Sequence, residues 1–437
     1  MGSIIVLAIV AVVVSIVFSL VILSLKKADS NSRQISVLDI AEAGINYYLW
    51  HLAHDPTDYK DGNSTPVSSP FGPYPHNYTD SSGKVIGSYT LYITPPPLGS
   101  NRVKVESKGV INGGNENRTI VAELGIPSFA AYGFLSHSEA WFGSSESTDG
   151  PAHSNTGMHF DGIGNDIISS ANATYTPTSS FGGDGSVHNG VWGNGGPQNF
   201  WVYPVPSINF TSITANFNSL RTQAAPANGG ILLDTITSGG IGYYLNLKNN
   251  STIDVWKVTG ESSTGITKSF VNNRAAPANG ILYSDYNVWV DGTWNGKMTI
   301  VAAKLPDVSS TNRSIKIINN LLYTAKNGTV NVGLITQRNI SVARYAPTTL
   351  EIDAAMLVQK GHIWWPYING VIKTTITVYG SIATYDYWTW TWVNGSGTVV
   401  SGYQTTQTTY DRNLTLAAPP GFPLTGSYAI LSYKEKD

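Results

Sequence analysis

The sequence predicts an α+β protein with a long N-terminal helix, a small antiparallel sheet and a large, mainly β domain. Three observations lead to this prediction. No proline occurs before Pro56, so a helix can run from the start of the chain. Residues 85–126 alternate between apolar and polar side chains, as half-buried strands do. Short β-rich segments separated by glycine and asparagine fill the remainder.

The composition limits the classes of function. With 437 residues the chain is long enough for two or three domains. Charged residues make up only 12% and the net charge is −2, which argues against an electrostatic grip on nucleic acid. The chain has no cysteine, which excludes disulfides, thiolate metal sites and a cysteine nucleophile. Low charge with many uncharged polar residues is typical of proteins outside cells.

The N-terminal helix is expected to have two different halves. Residues 4–25 contain no charge, proline or glycine and would extend about 33 Å, enough to span a bilayer. Residues 26–54 are amphipathic, and the helix should end at Asp55-Pro56. We therefore divide domain 1–54 into an apolar half, 3–25, and an amphipathic half, 26–54. The side chains expected to pack on a sheet are Ile35, Leu38, Ile45, Leu49 and Leu52.

An apolar half-helix that runs into AEAGINYYLWHL, residues 41–52, resembles the type IV pilin superfamily, in particular PilX-like pilins and pseudopilins. The resemblance covers residues 3 to about 54. It implies that a leader peptidase removes a basic leader, leaving Met1 or Ser3 first. It further implies that the apolar half is held in the membrane, meets an inner-membrane assembly machinery and then packs with identical helices in an extracellular filament.

The resemblance also implies which residues assemble. The helical core would contain Ile4, Leu7, Ala8, Ala11, Val13, Val17, Leu20 and Leu23. At the polar boundary, we expect Lys26 and Lys27 to pair with Asp29 or Glu42 of a neighbouring subunit. Most major pilins carry glutamate at the fifth mature position, where this chain has Ile5 or Leu7. This departure favours the alternative of a minor or tip subunit.

Residues 55–127 are predicted to form a loop, 55–83, and a small antiparallel sheet packed on the helix. Its expected strands are residues 85–94, 102–111 and 117–126. Residues 128–437 would form the large extracellular domain. Paired β-rich bursts recur there about every 20 residues, which favours a parallel β-solenoid over the alternative, a β-sandwich. The PPGFP-containing tail is expected to wrap the outside or cap the last coil.

Weak candidates for a metal site are His137, His153 and His159, which lack the spacing of a known ligand motif. Asp161 to Asp166 offers oxygens to Ca²⁺ but lacks a full EF-hand loop. Asp149, Asp161, Asp166 and Asp353 form no recognisable catalytic set, and phosphate-loop and nucleophile-elbow motifs are absent. We expect no enzyme activity and no cofactor.

Two sequence features point to the surface. Trp388, Trp390 and Trp392 alternate and would share one face of a strand; core packing, a partner contact and stacking on glycans all suit such rings. The glycosylation pattern N-x-S/T occurs twelve times, a number that fits chance and modification equally well. The asparagines are Asn63, Asn77, Asn117, Asn172, Asn209, Asn249, Asn250, Asn312, Asn327, Asn339, Asn394 and Asn413.

Taken together, the sequence predicts a structural subunit of an extracellular type IV pilus-like filament, which forms a helical homopolymer. The first alternative is a minor or tip pilin that acts as an adhesin and binds surface glycans. The second is a membrane-anchored carbohydrate-active enzyme built on a β-helix.

Overall fold

The computed structural model describes residues 2–64, 68–96, 102–144, 146–181 and 183–436, without the side chains of residues 2–17, 19, 29 and 215. The chain divides into two compact units. The first contains residues 1–126 and 427–437, and the second contains residues 127–426. An N-terminal helix, a small antiparallel sheet and a large mainly β unit follow one another, which confirms the predicted α+β class.

Helix α1 runs without interruption from Gly2 to His54, about 80 Å at the usual rise per residue. Pro56 follows immediately and cannot continue the helical hydrogen bonding. In the second half, apolar residues recur every three or four positions and form one buried stripe. The members of this stripe are Val37, Ile40, Ala41, Ile45, Tyr48 and Leu52.

The stripe packs on a five-stranded antiparallel sheet in the same unit. The first four strands are β1 (Phe71–Thr79), β2 (Val85–Thr94), β3 (Val103–Ile111) and β4 (Asn117–Gly125), and the fifth is Ala429–Glu435. On β2 and β3, buried apolar side chains alternate with more exposed ones, so each strand turns one face to the helix. The helix stripe and the apolar face of the sheet therefore form one core.

Two glycines allow the helix and the sheet to approach closely. A Cβ atom on Gly109 of β3 would lie 2.5 Å from the Val37 carbonyl oxygen and 2.7 Å from the Ala41 nitrogen of α1. A Cβ atom on Gly44, within AEAGINYYLWHL, would lie 2.2 Å from Ser107 Oγ and 2.8 Å from a ring carbon of Tyr89. A larger residue at Gly109 requires the helix and strand to move apart, and one at Gly44 requires the side chains of Ser107 and Tyr89 to shift.

Two strands of this sheet differ from the sequence prediction. Strand β1 lies in the segment predicted as loop 55–83; its Pro73 and Pro75 are compatible with a strand because β1 is at the edge of the sheet. The C-terminal strand pairs antiparallel with β4, so residues 427–437 belong to the first unit rather than to the domain 128–437. Only residues up to Gly426 lie in the large unit.

The second unit is built on stacked parallel strands, which we call the first, second and third ladders. In the first ladder each strand pairs in parallel with the next. In stacking order its strands are Ile231–Leu233, Ile281–Ser284, Lys297–Ala302, Asn331–Thr336, Thr349–Val358, Ile372–Thr384, Phe134–Ser136, Ala152–Ser154, Ile168–Ser170 and Trp201–Val202.

The other two ladders are also parallel. The second contains Gly242–Leu247, Asn287–Trp294, Ile315–Tyr323, Ile340–Val342, Ile363–Trp364 and Trp388–Thr389. A separate three-stranded parallel sheet contains Ala140–Phe142, Met158–Phe160 and Val191–Trp192. The third ladder is formed by parallel pairing between parts of Ile315–Tyr323, Thr349–Val358, Ile372–Thr384 and Val399–Tyr410. A separate two-stranded parallel sheet contains Ser147–Thr148 and Ile163–Gly164. Successive strands of the three ladders therefore pair in parallel, and the β-solenoid stays a prediction.

The order of strands in the first ladder was not apparent from the sequence. Phe134–Ser136, the first of these strands along the chain, pairs in the middle of the ladder with Ile372–Thr384. The chain proceeds from there to one end, at Trp201–Val202, and then continues to the opposite end, at Ile231–Leu233. Helix α2 (Ser212–Gln223) lies in this connection and packs against the outer side chains of the first ladder.

The remaining elements of the second unit are antiparallel strand pairs and short 3-10 helices. Antiparallel pairs link Gly242–Leu247 with Thr252–Glu261, Thr252–Glu261 with Ile266–Ala275, Thr174–Tyr175 with His188–Asn189, and Thr391–Val393 with Val399–Tyr410. Short 3-10 helices cover Phe129–Ala131, Ser179–Phe181, Gln198–Phe200, Pro226–Asn228, Ser309–Thr311 and Arg412–Thr415. The inward side chains of the stacked strands form the large hydrophobic core.

Candidate functional site

The apolar half of α1 leaves a continuous set of large side chains in contact with solvent. Their exposed fractions are 66% for Phe18, 60% for Leu20, 62% for Leu23 and 64% for Leu25. Val21 and Ile22 are also exposed. Exposure all round a helix of this apolarity costs free energy in water, so the segment requires a lipid or protein environment.

The other residues predicted for the assembly core lie outside the described side chains. They are Ile4, Leu7, Ala8, Ala11, Val13 and Val17, and of these residues the structure gives only the helical backbone. Within the described part of the chain, no helix combines the length and the apolarity needed to cross a bilayer.

The five residues of the amphipathic half that are predicted to pack on the sheet differ in burial. Ile45 and Leu52 are buried at 2% and 0% exposure, and Leu38 and Leu49 are partly buried beside the same core. Ile35 does not pack on the sheet, because its side chain is 63% exposed. The buried stripe begins at Val37 and Ile40 instead, so the face turned to the sheet is rotated from the predicted one.

The residues predicted to pair between subunits lie at the boundary between the halves. Lys26 and Lys27 are exposed, and the side chain of Asp29 lies outside the described set. Glu42 accepts a hydrogen bond of 3.2 Å from the Tyr433 hydroxyl on the C-terminal strand. Glu42 therefore has a partner within its own unit, a contact that no local sequence pattern indicates.

The three tryptophans do not share one strand face. Trp388 lies in the short strand Trp388–Thr389 and Trp392 lies in Thr391–Val393, with a turn at Trp390. The Thr389 hydroxyl forms this turn by accepting a hydrogen bond from the Thr391 nitrogen at 3.2 Å. Trp390 is 2% exposed, and Trp388 packs against the core at ring distances of 5.5 and 5.6 Å from Phe134 and Phe142.

The weak metal candidates do not converge. His153 contacts Ser169 Oγ and Asn155 Oδ1, both at 3.0 Å, and His137 contacts the Asn155 amide at 3.1 Å. Burial lowers the pKa of both imidazoles. His159 lies elsewhere, between Trp192, on which it stacks, and Trp141, whose ring is tilted to it, with ring centroids 4.0 Å from each. Among the described residues, no group of three side chains is arranged to hold a metal.

The carboxylates considered for calcium or catalysis bind protein groups. Asp161 accepts a hydrogen bond from the Asn194 nitrogen at 2.8 Å and lies 3.1 Å from His159. Asp166 accepts from the Ile167 nitrogen at 2.8 Å. Asp149 accepts from the Tyr410 nitrogen at 2.7 Å, and Asp353 accepts from the Tyr323 nitrogen at 2.8 Å. These contacts fix turns and neighbouring coils.

The glycosylation pattern has a structural use at several positions. Nine of the twelve asparagines are exposed, and Asn312, Asn339 and Asn413 are half-buried. At four of them the side-chain oxygen accepts hydrogen bonds from both the nitrogen and the hydroxyl of the Ser or Thr two residues later. These asparagines are Asn209, Asn250, Asn327 and Asn394. The pattern thus closes tight turns, whether or not sugar is attached.

No family model and no curated protein matches the chain. Among solved structures, it is similar to the crystal structure of the competence-associated pilin ComZ from Thermus thermophilus. The TM-score is 0.34 and the sequences are 12% identical, over 93% of this chain and 98% of that one. This similarity is too low for a function to be transferred, so a proposed function must rest on the residues of this chain.

Proposed function

We propose that this protein is a structural subunit of an extracellular type IV pilus-like filament and polymerises through the apolar half of α1. The observation that supports this most directly is the contrast along one helix. The large apolar side chains described between Phe18 and Leu25 are exposed, whereas those of the stripe from Val37 to Leu52 are buried on their own sheet. Among the described side chains of α1, those of the amphipathic half pack on the chain's own sheet, and the large apolar ones between Phe18 and Leu25 do not.

Copies of the same helix are the partner that fits this surface. Burying one large aliphatic side chain contributes about 1.5–3 kcal/mol relative to water, so six such residues favour assembly strongly. In a membrane the gain comes instead from close helix packing, which small residues assist. The sequence provides Ala8, Ala11, Ser15 and Ser19 in this segment.

The proposal includes the cellular route that the pilin resemblance implies. The apolar half would hold the subunit in the membrane, where the leader peptidase processes it. The inner-membrane assembly machinery would then move it into the filament. The β-rich unit would form the outer surface. We assign the protein no catalytic activity and no cofactor.

Aspartate substitutions on the helix test the proposal. Leu20→Asp and Leu23→Asp should abolish filaments, because a charge in a packed apolar core costs several kcal/mol. Val187→Asp is the matched control, since Val187 is 68% exposed in the second unit. Negative-stain electron microscopy of sheared surface material reports filaments, and circular dichroism checks the fold. Normal filaments from Leu23→Asp would refute the role of the helix.

The second candidate is a minor or tip subunit, which the apolar residue at the fifth mature position, Ile5 or Leu7, favours. Antibody labelling of isolated filaments separates the two. Label along the whole shaft supports the structural subunit, and label at filament ends alone supports the tip subunit.

A further inference from the structure

A groove of about 850 Å³ lies on the outer side of the second ladder. Its floor is a row of outward residues on four paired strands, namely Trp289, Lys316, Ser341 and Trp364. Their sequence neighbours point inward to the core. At the usual strand spacing the row extends about 14 Å from the first to the last member. The groove exists because the small Ser341 lies between much larger residues.

One carboxylate in the groove is already bonded to the protein. Glu261, at the end of strand Thr252–Glu261, lies 2.6 Å from the Lys316 ammonium. It also accepts hydrogen bonds from the Tyr345 hydroxyl at 3.0 Å and from Trp289 Nε1 at 3.2 Å. These contacts neutralise Lys316 and hold Tyr345 at the side of the groove. Glu261 therefore has little capacity to balance any further positive charge.

Two arginines add positive charge to the same groove. Arg338 and Arg344 flank the floor strand Ile340–Val342, and both side chains are exposed. Within the described part of the chain, neither guanidinium forms an ion pair, whereas Arg313 nearby donates to the Asp285 carbonyl oxygen at 2.8 Å. The groove thus carries an unbalanced positive charge on a protein whose net charge is −2.

An aromatic ring forms one end of the groove floor. Trp364 is half-buried, and rings on its other sides fix its orientation. Trp392 and Tyr387 meet it edge-on at 6.3 and 6.0 Å, and His362 lies 5.0 Å away. A fixed, partly exposed tryptophan offers a flat apolar surface to a sugar ring at low entropic cost.

We propose that this groove binds a carboxylate-bearing polysaccharide, with Arg338 and Arg344 pairing with carboxylates and Trp364 stacking on a sugar ring. Guanidinium groups match carboxylates with two parallel hydrogen bonds, which explains arginine rather than lysine at both positions. The volume is in the range of known ligand sites. The proposal goes beyond filament assembly and does not depend on it.

Binding to the unassembled full-length protein in detergent tests the proposal. Isothermal titration uses three polymers, namely polygalacturonate, dextran as an uncharged sugar, and polyphosphate as a charge without sugar. Polygalacturonate should bind and weaken as salt rises, and dextran should not bind. The double variant Arg338→Gln/Arg344→Gln should bind polygalacturonate at least about tenfold more weakly. The charge-matched control is Lys84→Gln/Lys434→Gln, two exposed lysines of the first unit, which should bind like the wild type.

Trp364→Leu separates sugar recognition from charge alone. It should weaken polygalacturonate binding about fivefold or more and leave any polyphosphate binding unchanged. Equal affinity of the arginine and lysine variants would overturn the proposal, as would dextran binding as tightly as polygalacturonate. Tighter binding of polyphosphate with no effect of Trp364→Leu would assign the groove to a phosphate polymer instead. Filament formation is not part of this assay, so failure here and failure of assembly are distinguishable.

Discussion

Gly109→Ala tests the packing of α1 on its sheet. The added Cβ would lie 2.5 Å from the Val37 carbonyl oxygen, 2.7 Å from the Ala41 nitrogen and 3.2 Å from the Ala41 Cα. All three obstructing atoms belong to the helix backbone, so no side-chain rotation relieves the contact. Overpacking of this kind costs about 1–3 kcal/mol, and we expect the upper end of that range.

A second glycine provides the matched control. Gly260 also lies in a strand, Thr252–Glu261, but its added Cβ would meet nothing closer than 3.8 Å. Neither residue has the positive φ angle that favours glycine. Gly260→Ala should therefore change the free energy of unfolding by less than about 1 kcal/mol, with a gain from lower chain entropy.

The assay must report the first unit separately. Hydrogen exchange of the backbone amides in β3 and β4 does so, because exchange from core strands follows the opening free energy of their unit. A loss of about 3 kcal/mol speeds exchange more than 100-fold and lowers the unfolding temperature by roughly 10 °C. If Gly109→Ala exchanged like Gly260→Ala, the close approach of α1 and β3 would be refuted.

Three further predictions concern the second unit, each measured by urea unfolding. Burial raises the pKa of Glu146 to about 7, so the fold favours the protonated acid and loses stability as the pH rises from about 4 to 7. Glu146→Gln should therefore gain roughly 1–3 kcal/mol over the wild type between about pH 5 and pH 8. Trp390→Ala should cost about 3–5 kcal/mol because the ring is buried, and Trp392→Ala roughly half of that. Asn327→Ala should cost about 1 kcal/mol through its two lost turn hydrogen bonds, and Asn172→Ala, also in the second unit and with an exposed side chain, close to nothing.

Local patterns in the sequence predicted the first unit well. The strand predicted at residues 85–94 matches β2, and those predicted at 102–111 and 117–126 match β3 and β4 within one residue at each end. Alternation sustained over nine or ten residues has the period of a half-buried strand and does not fit the period of a helix. Strand β1 escaped detection because Pro73 and Pro75 resemble loop residues, and only its edge position makes them acceptable.

The buried stripe of α1 shows how a shift of two residues changes which side chains are predicted to pack on the sheet. Ile35 and Val37 are both apolar and only two residues apart, yet one is 63% exposed and the other fully buried. Nothing local distinguishes them. The choice depends on where the sheet begins along the helix, and Gly109 permits β3 to lie close to Val37 and Ala41.

The groove and the tryptophans were beyond sequence reasoning for a different reason. Which side chains meet on a ladder depends on the register between coils, and Trp289, Lys316, Ser341 and Trp364 are separated by up to 75 residues along the chain. Alternation put three tryptophans on one face, but the turn between Thr389 and Thr391 interrupts the strand. Short strands in a coil end too soon for alternation to be reliable.

The C-terminal strand belongs to the first unit although it follows the second unit along the chain. The large unit, residues 127–426, is inserted between β4 and Ala429–Glu435, two strands that are neighbours in one sheet. Both ends of the large unit are therefore covalently joined to the unit that contains α1. Ala429–Glu435 completes this five-stranded sheet by pairing antiparallel with β4, and Glu435 and Lys436 add ion pairs to Arg118 and Glu106. On our proposal that the protein assembles through α1, the fifth strand of the sheet on which the helix packs is added only after the large β unit has been synthesised.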